Sequence, residues 1–454
     1  MDRKQQFICP QRDERLGWLN DMTVRNEGAL YNYRLPQLYE KWLQDIRDAQ
    51  GEKTGAITDT APFVRFGLRP ADPVSTSFLL IPWNTYLHYG NKKIIVQNYE
   101  AMKLWVNYLK RNSDNYIVRY SQMGDWAAPI SGTDLKSIGS GAVSTITPTI
   151  LMGTGYFYYD CVLMSKMAHI LGNKEDEIFY LREAENIKEA FQARFYNKDK
   201  KFYANNSQAG NTFPLYLGLV PEQDKSEVLQ RIKDDIVKNK MHLTTGNLCS
   251  RYVIEVLFQN GEEDLAYELL TQTEYPSWGY MIENGATTIW ERWEKVDAPG
   301  PLDRMASHNH PMNGAVGVCF HKYLAGINPN EAETGFGHIV IKPVIPSKLQ
   351  FVDCELESIR GIIRSGWKKS KNDITFYYEI PFNSTATIYL PIKNRRKSDI
   401  NITSKDLMIQ NGELIKAASC IHVEAIKYDY HVVIKVQPGK YAFCITEKTE
   451  NGEE

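Results

Sequence analysis

The hydrophobic period of this chain changes once, and the change limits what each part can fold into. Up to about residue 327 the apolar residues recur at steps of three and four. In Glu177–Tyr196 they are Ile178, Leu181, Ala184, Ile187, Phe191 and Phe195, which lay one stripe along a helix. Thr154–Leu171 carries Tyr156, Tyr159, Val162, Met167 and Ile170 and stops at Gly172, a C-terminal cap glycine. Leu38–Ala49, Val96–Leu109, Arg251–Asn260, Leu265–Thr271 and Gly314–Leu324 read the same way. Long polar loops, notably Gly51–Pro73 and Ser121–Pro148, separate them. Antiparallel helices with long loops at one end predict a helical toroid.

After Gly326 the period becomes two. Ile374, Phe376, Tyr378 and Ile380 alternate with polar neighbours, as do Ala386, Ile388 and Leu390, and Val432, Ile434 and Val436. Short strands with polar turns over roughly a hundred residues predict a β-sandwich. The expectation is a mainly α chain, with a helical domain over 1–327, a β domain over 328–447 and a disordered tail over 448–454.

Composition narrows the function. With 43% apolar and 24% charged residues and a net charge of -2, the chain is an ordinary globular protein with no electrostatic reason to bind nucleic acid or an anionic membrane. Seven scattered cysteines without a CxxC pair imply neither a disulfide framework nor a zinc site. No apolar run is long enough to span a membrane. The opening residues lack a signal-peptide core, so a cytoplasmic location is expected, or an exported one if the true N-terminus lies upstream. A homo-oligomer is compatible with all of this.

The chemistry concentrates in a few acid–aromatic segments. ATTIWERWE, Ala286 to Glu294, falls in the last helical stretch and sets Glu291 between Trp290 and Trp293. Carboxylates are mostly exposed and indoles mostly buried, so the pairing fits a pocket with an apolar wall and one acid. Sugars suit such a pocket, because their C–H faces stack on aromatics and their hydroxyls seek charge. An amphipathic helix with a buried Trp and a solvated Glu fits as well. CPQRDERLGWLND, Cys9 to Asp21, places Asp13, Glu14 and Asp21 around two arginines and Trp18. Glu14 and Asp21 are seven apart and would share a face on one helix. Asp125 and Trp126 sit in a Gly-Asp-Trp loop, Trp278 in YPSWGY, and His310 in SHNH. Taken singly, each fits a turn residue, a core aromatic or a hydrogen-bonded histidine. His308 and His310 alone make a poor metal site. Glycoside hydrolysis needs two carboxylates flanking the scissile bond, and Glu14 and Glu291 are the natural pair.

These segments bring out a resemblance. CPQRDERLGW, the GDW loop, LTTG (Leu243–Gly246), YPSWGYMIENGATTIWERW, the NH before a helix ending in LAGI, GFGHIVIKP (Gly335–Pro343) and PGKYAF (Pro438–Phe443) occur in order. In them the chain resembles bacterial α-L-rhamnosidases, glycoside hydrolase family 78. The resemblance implies an (α/α)6 barrel followed by a C-terminal β-sandwich. It implies an inverting hydrolase of terminal α-L-rhamnose on plant-derived oligosaccharides or glycosides, with no cofactor or metal. Glu14 would be the general acid and Glu291 the general base, about 6.5–9.5 Å apart. Asp13, Trp18, Asp21, Asp125 and His310 would contact the sugar, and Trp126, Trp278 and Trp290 would line its pocket. The chain departs from the pattern at Ile8, where members carry Asp, at GWLND in place of GWTGD, and in the loop holding Asp72. Members also carry β domains ahead of the barrel, whereas this sequence opens almost on the acid motif. The departures point to another sugar specificity, a shortened product or a fragment that needs a partner; a competing reading is a catalytically dead carbohydrate-binding remnant. Retention of both glutamates argues against the remnant.

Overall fold

The structure, a computed structural model, describes residues 15–64, 67, 69–129, 144–295, 307–392, 399–427 and 431–446. The chain divides into two compact units, one of residues 1–84 and 92–316, the other of residues 85–91 and 317–454. The fold is an (α/α)6 barrel followed by a C-terminal β-sandwich, the architecture that the family resemblance implies; the change of period predicts its helical and β parts.

The helices come in consecutive pairs. In order they are α1 (Leu19–Asn32) and α2 (Pro36–Asp48), α3 (Ser77–Tyr89) and α4 (Lys92–Arg111), α5 (Thr149–Leu171) and α6 (Lys174–Phe195), α7 (Gln208–Tyr216) and α8 (Lys225–Lys238), and α9 (Ser250–Gln259) and α10 (Glu263–Thr271). Helix α2 shows why these segments are helical. Pro36 starts it, where a missing N–H costs nothing. Tyr39, Trp42, Leu43 and Ile46 then bury one face; Leu43 and Ile46 contribute about 1.5–3 kcal/mol each by leaving water. Helix α5 ends at Gly172 in the left-handed conformation, as its sequence predicts.

Three expectations are corrected. On α6 the buried stripe runs Tyr180, Glu183, Ala184, Ile187 and Phe191, whereas Ile178 and Leu181 face solvent. Glu183 goes inside because Lys110 reaches it at 2.7 Å. The second concerns Ala286–Glu294, which is not helical. A short helix, α11 (Trp278–Glu283), ends at Gly285 with φ 82°. The β-branched run Thr287-Thr288-Ile289 that follows is poorly suited to continue it. The segment instead exchanges backbone bonds with residues 307–310: Glu291 N–H donates to the Ser307 carbonyl and His310 N–H to that of Ile289, both at 2.8 Å. Further on, residues 314–324 form a 3-10 turn and a π-helical turn rather than one α-helix.

In the second unit, one five-stranded sheet runs Ile421–Lys427, His431–Val436, Thr385–Pro391, His338–Ile341 and Ile327–Pro329. The alternating residues face one another across it, Ala386 on Val436, Ile388 on Ile434 and Leu390 on Val432. A seven-stranded antiparallel sheet runs Glu413–Ala417, Leu407–Gln410, Asn401–Thr403, Gly439–Thr446, Asp373–Ile380, Gly361–Lys369 and Phe351–Ser358. Phe376 and Tyr378 are buried opposite Phe443 and Tyr441. Among the described residues, no helix is long and apolar enough to cross a membrane.

A buried charge cluster ties α1 to α9. Arg251, 3% exposed, donates to the Val24 carbonyl and to Glu27 on α1, and to Glu255 on its own helix. Burial pulls the guanidinium pKa down, and the carboxylates of Glu255 and Glu27 outweigh that pull and raise it. Arg251→Leu leaves two carboxylates without their cation and is expected to lose about 3–5 kcal/mol of stability in urea unfolding. A loss below 1 kcal/mol would show that the cluster does not hold the helices together.

Candidate active site

The site is built from loops that the helix pairs hold in place. Gly17 lies where a Cβ would come within 2.2 Å of the Ala61 carbonyl oxygen. The close approach lets Ala61 N–H bond Gly17 and Trp18 bridge to Thr60. Trp18 caps α1 in extended conformation, and the Asp59 carbonyl accepts the Leu19 N–H at 2.8 Å. Asp21 therefore enters in the first helical turn, where the helix dipole favours an anion. Its carboxylate lies 3.0 Å from His310 Nε2, with both side chains about 5% exposed or less. Arg25, one turn on, donates to the Pro311 carbonyl at 3.3 Å. Helix α1 thus fixes the segment that pairs with Glu291.

Glu291 is 3% exposed. Its Oε1 accepts from Trp126 Nε1 at 3.0 Å, and its Oε2 accepts from the Ser307 N–H at 2.9 Å. Its carbonyl accepts from Asn313 Nδ2 at 3.2 Å and from Asn247 Nδ2 at 3.4 Å. Asn313 also holds the Trp290 carbonyl. Trp290 stacks on His308, with ring centroids 4.9 Å apart. Trp293 is fully buried, donates to the Thr245 carbonyl and meets Trp278 edge to face at 5.2 Å. Trp278 donates to the Asn313 carbonyl.

The Gly-Asp-Trp loop is locked to Leu243–Gly246 and the residues after it. Asp125 accepts the Gly246 and Cys249 N–H groups, one on each oxygen, at 2.8 and 2.9 Å. Asn247 N–H donates to the Trp126 carbonyl. A Cβ on Gly246 would lie 2.1 Å from that carbonyl oxygen, so the contact excludes any larger residue. Burial pushes the Asp125 carboxyl up to about 6, against the backbone bonds that favour its charge. On the other side of the loop, Asp72 accepts Ser121 Oγ at 3.0 Å and the N–H groups of Gln122 and Met123. Asp59 accepts the Asp72 N–H at 2.7 Å. Burial first, and the neighbouring Asp72 charge after it, push the Asp59 carboxyl up to about 7.

Comparison with known proteins decides the lineage of this arrangement. Residues 8–324 match the bacterial alpha-L-rhamnosidase 6 hairpin glycosidase domain, and residues 326–404 match the bacterial alpha-L-rhamnosidase C-terminal domain. The chain belongs to the bacterial α-L-rhamnosidase family. It is 30% identical over 439 residues to an alpha-L-rhamnosidase of Formosa agariphila, covering 96% of this chain and 45% of that protein. A Streptomyces avermitilis alpha-L-rhamnosidase is 31% identical over 84% of this chain and 35% of its own length. The chain thus spans less than half of these relatives. Among solved structures, the alpha-L-rhamnosidase from Dictyoglumus thermophilum superposes with a TM-score of 0.84 at 34% identity, over 96% of this chain and 46% of that one. The Streptomyces avermitilis alpha-L-rhamnosidase complexed with L-rhamnose gives 0.82 at 28% identity, over 97% and 39%.

Within this rhamnosidase-family chain, direct contacts link Asp21 to His310, Trp126 to Glu291, Trp278 to Trp293, and His310 to the Ile289–Glu291 backbone. Asp13 and Glu14 lie outside the described residues. Because α1 starts at Leu19 and Arg15 has φ 54°, no single helix joins residue 14 to Asp21. Trp126 remains half-buried, whereas Trp278 and Trp290 are buried. Asn247, Asn313 and Arg25 carry no signal in the sequence, and Ser307 shows there only as the first residue of SHNH. They act through backbone carbonyls and N–H groups, which leave no motif beyond their nearness to LTTG and NH.

The Asp125 carboxyl titrates higher folded than unfolded, so its contribution to stability is full below pH 4 and is lost as pH rises through about 6. The stability of the native chain relative to Asp125→Asn is expected to fall by on the order of 1–3 kcal/mol between pH 4 and pH 7. Urea unfolding at several pH values measures it, and a gap that widens with pH contradicts this account.

Proposed function

We propose that the chain is a glycoside hydrolase that releases terminal α-L-rhamnose, with inversion, from plant-derived oligosaccharides or glycosides. One observation carries the reading: a buried carboxylate, Glu291, is held on both oxygens by N–H donors, in a chain that belongs to the bacterial α-L-rhamnosidase family. Trp126 and Ser307 fix the plane of the carboxylate, and so the direction in which it can take a proton. In the proposed reaction Glu291 removes a proton from water as the water oxygen attacks the anomeric carbon. Glu14 gives a proton to the leaving oxygen, and the glycosidic C–O bond breaks. The Asp21–His310 pair, an acceptor beside a donor, suits neighbouring sugar hydroxyls. Half-buried Trp126 offers the ring on which a C–H face stacks. The structure solved with L-rhamnose, at 28% identity over nearly the whole chain, supports the choice of sugar.

Replacing Glu291 by Gln keeps its shape but removes the base. Its kcat on an aryl α-L-rhamnoside is expected to fall about 10²–10⁴-fold, and an unchanged kcat would sink the assignment. Glu14→Gln is expected to slow substrates with sugar leaving groups more than nitrophenyl ones, which need no proton. Proton NMR of the first product decides stereochemistry: β-L-rhamnose appears first if the reaction inverts, and α-L-rhamnose first contradicts inversion. A panel of other aryl glycosides tests the sugar, because Ile8 stands where the family pattern of the resemblance has an aspartate. Faster turnover of another glycoside reassigns the specificity.

A further inference from the structure

The outer face of the seven-stranded sheet carries a trough that the proposed hydrolysis does not use. Strand register sets Asp353, Gly366, Tyr377 and Ala442 side by side across four strands. The next row on the same face is Glu355, Arg364, Glu379 and Lys440. The trough measures about 610 Å³, within the roughly 300–1,000 Å³ of small-ligand sites.

Its floor is aromatic and open. Tyr377 is 49% exposed and stands between Gly366 and Ala442, neither of which carries a side chain that could cover its ring. At Gly366 the gap is enforced, since a Cβ there would come within 2.6 Å of the Val352 carbonyl oxygen. Phe351, exposed, adds a second ring to the lining. Beside this floor runs a string of ion pairs. Arg364 lies 2.7 Å from Glu355 and 3.4 Å from Glu379, and Lys440 lies 3.4 Å from Glu379.

The charges indicate what fits. Asp353, Glu355 and Glu379 give three negative charges, and Arg364, Lys368 and Lys440 give three positive ones, so 3 − 3 = 0. An anion such as a phosphate would find no excess of cations. An apolar protein segment laid over the trough would desolvate the ion-pair row at a cost. A neutral ligand with one flat C–H face and many hydroxyls meets both surfaces. Its C–H face lies on an aromatic ring, and its hydroxyls bond charged donors and acceptors, which make the stronger hydrogen bonds.

We propose that this trough on the C-terminal domain is a saccharide-binding site for neutral sugars, with Tyr377 as its platform and the Glu355–Arg364–Glu379–Lys440 row as its hydroxyl contacts. It does not depend on the catalytic assignment of Glu291.

The test uses the full chain, L-rhamnose, maltotriose, cellotriose and mannotriose, with saturation-transfer NMR and calorimetry. At least one probe is expected to bind the native chain at this site. Tyr377→Ala should weaken that binding by about tenfold, equivalent to ~1.4 kcal/mol. Tyr377→Phe, which keeps the ring, should bind within a factor of about two of native. Near-UV circular dichroism and turnover of an aryl α-L-rhamnoside should be the same in all three. If no probe binds the native chain, or if Tyr377→Ala binds every probe as the native chain does, the proposal is overturned. It is also overturned if sedimentation shows self-association that Tyr377→Ala abolishes without any effect on sugar binding, since the face then holds a second copy.

Discussion

A buried stretch of chain without helix or strand must find a partner for each of its peptide groups, because an unpaired buried N–H or C=O costs about as much as a lost hydrogen bond. Residues 289–293 face this requirement. Ser307 and His310 on one side bond the Glu291 N–H and the Ile289 carbonyl, and Asn247 and Asn313 on the other bond the carbonyls of Trp290 and Glu291, while the Trp293 indole donates to the Thr245 carbonyl. Those partners have partners of their own: Asn247 also holds Trp126, and His310 lies beside Asp21 on α1. The position of the Glu291 carboxylate thus results from satisfying the backbone around it. Its two N–H donors come from a side chain 165 residues away and from a peptide group 16 residues away.

Buried polar side chains carry much of the remaining architecture. Asp72, Asp125 and Arg251 each bond backbone groups in a segment remote in sequence, and Asp59 accepts the Asp72 N–H. Asp72 and Asp125 hold opposite sides of the loop that presents Trp126. Each is an acid among backbone donors, and a glutamine or asparagine there would have one acceptor atom where two are used.

The same burial explains what the sequence shows and hides. Helices α2, α4, α5, α6, α9 and α10 could be read from their apolar spacing, and the strands from alternation. Helices α1, α3 and α7 could not. Helix α1 buries Asn20, Asp21, Thr23 and Asn26, so polar residues occupy its inner face and the amphipathic stripe vanishes. Helix α3, SFLLIPWNTYLHY, is apolar on every side and contains Pro82. Ala286–Glu294 reads as helix because Ala286, Ile289, Trp290 and Trp293 fall at helical steps. Its true conformation is set by residues 307–310, which no local pattern reveals. Glu291, Trp126, Asp21 and His310 stand in motifs the sequence displays, and the structure brings them together in two contacts, Trp126 on Glu291 and His310 on Asp21. The asparagines that hold them were not legible, since an amide bonding a carbonyl looks like any surface asparagine.

The spans of these contacts also bear on how the molecule forms. Arg25 meets Pro311 across 286 residues, Arg251 meets Val24 across 227, and Trp126 meets Glu291 across 165. Closing such loops costs entropy before any contact repays it, and folding dominated by distant pairings is slow. Helix pairs such as α5–α6, joined through Gly172 and Asn173, can form early from local contacts. The surroundings of the carboxylate cannot, because they draw on the first helix and on segments near both ends of the barrel sequence. During refolding, helical content should therefore return well before the buried indole of Trp293 finds the Thr245 carbonyl.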